Sequence, residues 1–174
     1  MISLGNTTIG VSGWIPKGWE AGKLASVTKF TTDRIEGAEL TLDNYISTDN
    51  MLPNKSGITK ASKVPDVKTT PAYSPGHILV SNIRPYFKKI WFATSRGGRS
   101  NDVLGFEALE DQSKEYLLNL LYQNVFFDYM MTTSKGSKMP RGDKKADEPI
   151  RVHASDLNAG LFCGSGGRAK TLCQ

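Results

Sequence analysis

The sequence has little of what metal-binding, disulfide-bonded or membrane-spanning proteins require. Its 174 residues include two cysteines, Cys163 and Cys173, and two histidines, His77 and His153. The ligands of a structural zinc site or the cysteines of a disulfide framework are spread through a fold, so neither is expected, and no cofactor is predicted. No apolar run approaches the ~20 residues that span a bilayer, and no export signal opens the chain. These absences predict a cytoplasmic protein.

Catalytic signatures are also missing. The stretch "SRGGRSND" has the glycines of a phosphate-binding loop but lacks its Lys-Ser/Thr ending, and no dinucleotide fingerprint or Gly-x-Ser-x-Gly elbow occurs. A metal-dependent nuclease needs several carboxylates beside a lysine. Asp66 and Asp143 each stand two residues before a lysine, yet no second acid supports either one. A nuclease using Asp66 or Asp143 remains an alternative, and the chain is predicted not to be an enzyme.

Positive charge is present in excess and is concentrated in two segments. The net charge is +5, from 22 basic and 17 acidic residues. Residues 84–99 hold five cations and no acid, and "KGSKMPRGDKK", residues 135–145, holds five cations and one acid. Concentrated positive charge attracts polyanions, above all nucleic acid. The alternatives are two solvated faces that keep the protein in solution, or a basic scaffold that binds an acidic protein.

Hydrophobic periodicity predicts the fold class. The stretches "NYIST", "SPGHILVSNI", "YFKKIWFAT" and "DVLGFEAL" have the composition of strands, and "SRGGRSND" that of a loop. Ser113 is the expected N-cap of one helix over residues 113–133, whose apolar stripe includes Leu118, Leu121 and Val125. An α/β fold of the mixed α+β type follows: one globular domain whose twisted, mostly antiparallel sheet packs against helices and carries cationic loops at one face.

Composition also divides the chain. Residues 1–12 are small and polar and are predicted to be a leader or linker, and residues 13–150 form the domain. Residues 151–174 contain "GSGG" and no periodicity, so they are predicted to be an irregular, poorly ordered tail.

The basic segments contain the side chains that read duplex DNA. Lysine and arginine hold phosphates, while arginine pairs with guanine and asparagine or glutamine with adenine. Asn82 and Gln123 are further amide candidates, although Asn82 and Asn101 are more often turn formers. The predicted DNA-binding residues are Arg84, Lys88, Arg96, Arg99, Asn101, Lys135, Lys138, Arg141, Lys144 and Lys145.

The aromatic residues beside these cations are predicted to lie in the core. Every second residue of a strand is buried, so the stretch "YFKKIWFAT" is expected to place its rings inside rather than against bases. Neighbouring residues of a strand point to opposite faces, so Lys88 and Lys89 cannot both face outward. The rings concerned are Tyr86, Phe87, Trp91 and Phe92.

Together, several segments resemble a target recognition domain of the specificity subunit of type I restriction–modification systems. They are "GWIPKGWEAGKLASV", "YISTDNMLPNKSGI", "PGHILVSNIRPYFKKIWFAT", "RGGRSNDVLGF" and "KGSKMPRGDKK". The resemblance runs from about residue 13 to 149, with the segments in family order.

The resemblance implies a non-catalytic domain that reads half of a split DNA target for host defence. Partner methyltransferase subunits would flip and methylate adenine, and a motor–nuclease subunit would cleave. Within residues 135–145, Lys138 and Arg141 would be the leading DNA contacts. The family's long spacer helix, which docks the methyltransferases, has no counterpart in residues 151–174. A homodimer is the expectation if the chain is a half-length subunit.

Overall fold

The structure is a computed structural model that describes residues 22–132, 151–152, 162–165 and 168–171. Within these residues the strands are β1 (Gly22–Lys23), β2 (Thr28–Phe30), β3 (Arg34–Glu36), β4 (Tyr45–Ile46), β5 (Thr69–Tyr73), β6 (Ile78–Ser81), β7 (Ile90–Phe92), β8 (Gly97–Arg99), β9 (Val103–Ala108), β10 (Arg151–Val152), β11 (Phe162–Ser165) and β12 (Arg168–Thr171). The helices are α1 (Lys114–Tyr122) and α2 (Asn124–Thr132), with short 3₁₀ turns at Leu24–Ser26, Gly37–Glu39 and Pro85–Phe87.

The first sheet is antiparallel, with strand order β2-β9-β6-β7. Its centre is β6, where Ile78 pairs with Phe92 of β7 on one side and with Phe106 of β9 on the other. All four residues of β6 are buried, because Ile78 and Val80 face α1 and α2 while Leu79 faces the second sheet. A continuous apolar run is what a strand covered on both faces requires.

The helical region differs from the sequence-based prediction. The single helix expected over residues 113–133 is two helices, because Gln123 adopts an extended conformation with ψ 145°. Its side-chain amide donates to the Asn119 carbonyl at 3.2 Å, a local bond of the kind that competes with helix continuation. Ser113 is confirmed as the N-cap, since its Oγ accepts from the Tyr116 amide at 3.2 Å. Val125, placed on the buried stripe by periodicity, is instead 46% exposed.

The second sheet is mixed, with strand order β3-β5-β8-β4, and only β4 and β8 run parallel. Its central strand β8 lies in the stretch that was predicted to be a loop. The two glycines suggested a loop, but in β8 they allow neighbouring groups to lie close to the strand. A Cβ at Gly97 would collide with the Asn44 carbonyl oxygen, and one at Gly98 with the Leu40 side chain. Glycine inside a strand often marks such an approach.

The fold class predicted from the sequence is confirmed as mixed α+β, with the antiparallel sheet packed on the helices. Strands were predicted correctly at β6 and β9, whereas β7 begins only at Ile90. The domain boundaries predicted after residues 12 and 150 lie outside the described residues and remain predictions. Within the segment predicted to be irregular, β10 pairs with β1, and β11 pairs with β12.

Candidate nucleic-acid interface

The turn between β6 and β7 is built by an Arg-Pro pair. Pro85 opens the Pro85–Phe87 3₁₀ turn, and Arg84 and Lys88 flank it in the left-handed region, each with φ 51°. Tyr86 and Phe87, predicted to be core residues in a strand, are therefore 48% and 37% exposed, with ring centroids 4.7 Å apart. This prediction was wrong because the proline starts a turn and the strand begins later, at residue 90.

A second loop supports this turn. The Asn54 amide donates to the Phe87 carbonyl at 2.8 Å, and the Lys55 amide donates to the Lys88 carbonyl at 2.9 Å. Asn54 and Lys55 also have positive φ, 54° and 62°. Within the described residues, every non-glycine residue with positive φ belongs to this two-loop contact. Such conformations cost about 1–3 kcal/mol each and cluster at functional sites.

The contact gathers positive charge on an exposed surface. The Lys55 and Lys88 ammonium groups both donate to the side-chain oxygen of Asn124, at 3.2 and 3.0 Å. Partial burial, with a smaller effect from the Lys88 charge, lowers the pKa of Lys55. Arg84 is exposed at the start of the same turn. We call Arg84, Tyr86, Phe87, Lys88 and Lys55 the turn surface.

Lys89 is directed differently from Lys88. Its ammonium donates to the Thr48 carbonyl at 2.6 Å and lies 5.7 Å from the centroid of the Phe87 ring. Burial lowers its pKa, while Asp49 opposes and Arg84 adds to this shift. Of the two neighbouring lysines, Lys89 is tied to the body, as the sequence predicts for one of them, although neither lies in a strand.

The structure places two other predicted site residues at different ends of the sheet. Asn101 is exposed in the turn between β8 and β9. The carbonyl of the next residue, Asp102, accepts from the Asn82 backbone amide at 2.8 Å. This is the end of β6 from which Arg84 projects. Arg96 is exposed at the opposite end of β7. The strand begins at Ile90, near the Arg84 turn, and ends at Phe92, and Arg96 follows four residues later.

Arg99 is not a surface residue, and its assignment to a DNA-contacting set was wrong. It is 6% exposed, and its guanidinium donates to the Thr31 Oγ1 at 2.8 Å, to the Thr31 carbonyl at 3.1 Å and to the Val103 carbonyl. Burial lowers its pKa to about 10. Gly105 makes room for it, since a Cβ there would lie 2.8 Å from the Arg99 Nε. Charge alone could not show that this cation connects the two sheets.

The remaining amide candidates and the second basic segment have different outcomes. Asn82 is buried and cannot reach a base edge from that position, and the Gln123 amide is engaged with α1. The five cations of the second segment lie outside the described residues, and their DNA-binding role remains a prediction. They are Lys135, Lys138, Arg141, Lys144 and Lys145.

A mixed-charge cavity that sequence reasoning missed lies beside the body contact of Lys89, and its lining includes Lys60 and Lys63 as well as two acids. Asp49 and Asp102 line a polar cavity of about 400 Å³ together with Tyr45. Burial raises the pKa of Tyr45, and the two carboxylates add to the increase. The cavity is held open by the loop after β4, where the Asn50 side chain accepts from the Ser47 amide at 2.7 Å. No sequence motif marks two acids that are 53 residues apart in the chain.

Groups of metal ligands and membrane-spanning helices are both absent from the described residues. No group of three or more His, Cys, Asp or Glu side chains in the described part of the chain is placed to hold a metal ion, and Asp66 is exposed there. Among the same residues, no helix combines the length and the apolar character needed to cross a membrane.

Comparison with known proteins identifies the fold. No protein-family model and no curated protein matches the sequence. Among solved structures, the chain is similar to the HsdS subunit from Thermoanaerobacter tengcongensis, at 16% identity and a TM-score of 0.59 over 76% of this chain and 37% of that one. The chain shares its fold with part of an HsdS subunit.

The chain is also similar to a chain in a structure on complex assembly and conformational transition of the type I R-M system. The identity is again 16%, with a TM-score of 0.62 over 80% of this chain and 38% of that chain. The present chain thus spans well under half the length of either protein. The shared fold agrees with the family resemblance drawn from the sequence segments.

Proposed function

We propose that the chain is a non-catalytic recognition domain that reads duplex DNA as part of a type I restriction–modification specificity subunit. The observation that carries the proposal is the turn surface, where cations that form no ion pair with any described carboxylate flank two exposed aromatic rings on a strained turn. Lysines and arginines position a protein on phosphates, and forked or apolar groups beside them meet base edges. The HsdS-like fold supports the same function.

The proposed DNA-binding set follows from exposure and position. Three described residues of this set lie at one end of the first sheet: Arg84, Lys88 and Asn101. Residues 135–145 supply the remaining cations of the set. Arg96 belongs to the set only if the duplex extends to the opposite end of β7. The proposed partners are methyltransferase subunits and a motor–nuclease subunit, and a second copy of the chain would read the other half of a split target.

A selection from randomised duplexes, with the purified protein and then with a cognate methyltransferase subunit, tests the proposal. We expect enrichment of one short sequence, with affinity that falls steeply as salt rises because phosphate contacts release counterions. Incubation of plasmid with Mg²⁺ is expected to leave it intact. Cleavage that disappears in Asp66→Ala or Asp143→Ala would establish a nuclease instead. Absence of DNA retention at low salt would favour the acidic-protein scaffold.

Arg84→Ala and Arg96→Ala form a matched pair of predictions. Both residues are exposed arginines, so neither change should alter folding by more than about 0.5 kcal/mol. Arg84→Ala is expected to weaken binding of the selected duplex by ~1–3 kcal/mol and to relax sequence preference if the guanidinium meets a base. Arg96→Ala is expected to change affinity far less. Fluorescence anisotropy with selected and scrambled duplexes measures both, and equal losses would place DNA along the whole length of β7.

A further inference from the structure

The Lys55 and Lys88 side chains form a pair with an unusual acceptor. Both ammonium groups lie within hydrogen-bond distance of one neutral oxygen, the Asn124 Oδ1, so they are no more than about 6 Å apart. Ion pairs in the described part of the chain join Lys29 to Glu107 and Lys60 to Asp43, and none of them involves this pair. Two like charges therefore converge without an ion pair to any carboxylate in the described part of the chain.

The backbone and neighbouring rings hold the pair in place. The Lys55 amide donates to the Lys88 carbonyl at 2.9 Å, and the Tyr122 hydroxyl donates to the Lys55 carbonyl at 3.3 Å. The Lys55 ammonium also lies 5.6 Å from the centroid of the Tyr122 ring, within the range of a cation–π contact. These contacts fix the direction of the Lys55 side chain before any ligand arrives, which reduces the entropy lost on binding.

The acceptor lies on an accessible element. Asn124 is exposed and is the first residue of α2, so the amino end of a nine-residue helix faces the same place. The helix dipole adds positive potential to that of the lysines. An anion that displaced the Asn124 oxygen, or joined it, would meet two ammonium groups at once.

We propose that Lys55 and Lys88 together bind one phosphate group, and that in the DNA complex this is a single backbone phosphate of the duplex. The inference rests on the proposed function for the source of the phosphate. Asn124 is a positioning residue that holds the two ammonium groups together while the site is empty. Since Lys88 closes the turn that carries Arg84, Tyr86 and Phe87, this phosphate fixes the register of the groups that face the bases.

The salt dependence of binding by Lys55→Gln, Lys88→Gln and the double variant tests whether one phosphate is shared. Each phosphate neutralised on B-DNA contributes about 0.9 to the slope of log K against log salt. The double variant is expected to lose about 0.9 in slope, equally on selected and scrambled duplexes, and each single variant no more than that. A loss of about 1.8 that is the sum of two equal single losses would mean two separate phosphates and overturn the shared site. Lys68→Gln, an exposed lysine in the other sheet region, is the control.

Asn124→Asp provides an independent variant that keeps the shape of the side chain. A carboxylate at the start of a helix is favourable, so the fold is expected to be retained, as measured by thermal unfolding. The new charge would pair with both ammonium groups and compete with phosphate. We expect DNA affinity to fall at least as far as in the double lysine variant. Unchanged affinity would overturn the proposal.

A titration with inorganic phosphate separates this inference from the proposed function. Lysine ammonium signals in NMR spectra of the wild-type protein are expected to shift for Lys55 and Lys88, and not in Asn124→Asp. If wild-type protein binds DNA but the double variant has an unchanged slope, the phosphate site is wrong and DNA reading stands. If wild-type protein binds no DNA, the proposed function is wrong. In that case absence of the two lysine shifts overturns the phosphate site as well, and their presence retains it for another phosphate source.

Discussion

Changing the five cations of residues 135–145 together to glutamine is expected to lower affinity for duplex DNA by about a hundredfold or more near 0.1 M salt. The segment has one acid, Asp143, so the positive charge there is almost uncompensated. If each cation meets one phosphate, the slope of log K against log salt becomes shallower by about 4.5, which is about 0.9 for each of the five. Anisotropy titrations across a salt series give both quantities.

The matched control removes five exposed cations that lie outside the turn surface. They are Lys29, Arg34, Lys60, Lys68 and Lys114. Equal losses in the two variants would mean that net charge, and not a localised interface, holds DNA. Within residues 135–145, Arg141→Ala separates base reading from phosphate binding. A loss of ~1–3 kcal/mol confined to the selected duplex indicates a base contact, and an equal loss on every duplex indicates a phosphate contact.

Arg99→Ala is expected to lower the free energy of unfolding by about 2–4 kcal/mol, without a direct effect on DNA contacts. The guanidinium satisfies the Thr31 and Val103 carbonyls inside the protein, and its loss leaves both without this donor beside a cavity. The charge itself is unfavourable at this buried position, which is why burial lowers the pKa of Arg99. The expected loss is therefore smaller than the sum of three charged hydrogen bonds.

Arg99→Lys is the informative control for this prediction. A lysine keeps the charge but lacks the fork that reaches both Thr31 and Val103, so we expect it to recover little of the stability. Chemical denaturation of Arg99→Ala, Arg99→Lys and the wild-type protein measures the order. Two results together would contradict the buried position of Arg99. Arg99→Ala would have the same free energy of unfolding as the wild-type protein, and it would lose as much DNA affinity as Arg84→Ala.

The elements that the sequence predicts well are those in which local pattern and tertiary burial agree. The apolar run of β6 must be buried wherever it lies, and Ser113 caps its helix through a bond to the Tyr116 amide only three residues away. The break at Gln123 was missed because apolar spacing continues through it, with Leu121 and Phe127 buried on either side. The spacing of apolar residues indicates which face of a helix is buried, but it does not reveal a single extended residue that divides the helix.

The candidate site was predictable in composition but not in geometry. Local charge drew attention to residues 84–89, whose DNA-binding role remains a prediction, and the same reasoning included Arg99, whose acceptor Thr31 is 68 residues away in the chain. Lys55 was missed because it stands alone among polar turn residues, and only its backbone bond to Lys88 brings it to the site. Proline at residue 85 was the available signal that Tyr86 and Phe87 belong to a turn.

The strand that leads into the Arg84–Lys88 turn is enclosed on both faces, with every side chain of Ile78–Ser81 inside the protein. The most exposed side chains of this turn, Arg84 and Tyr86, lie outside that enclosed strand. If the proposed function holds, a library varied only at residues 84 and 86 is the starting point for changing target preference while the fold is kept.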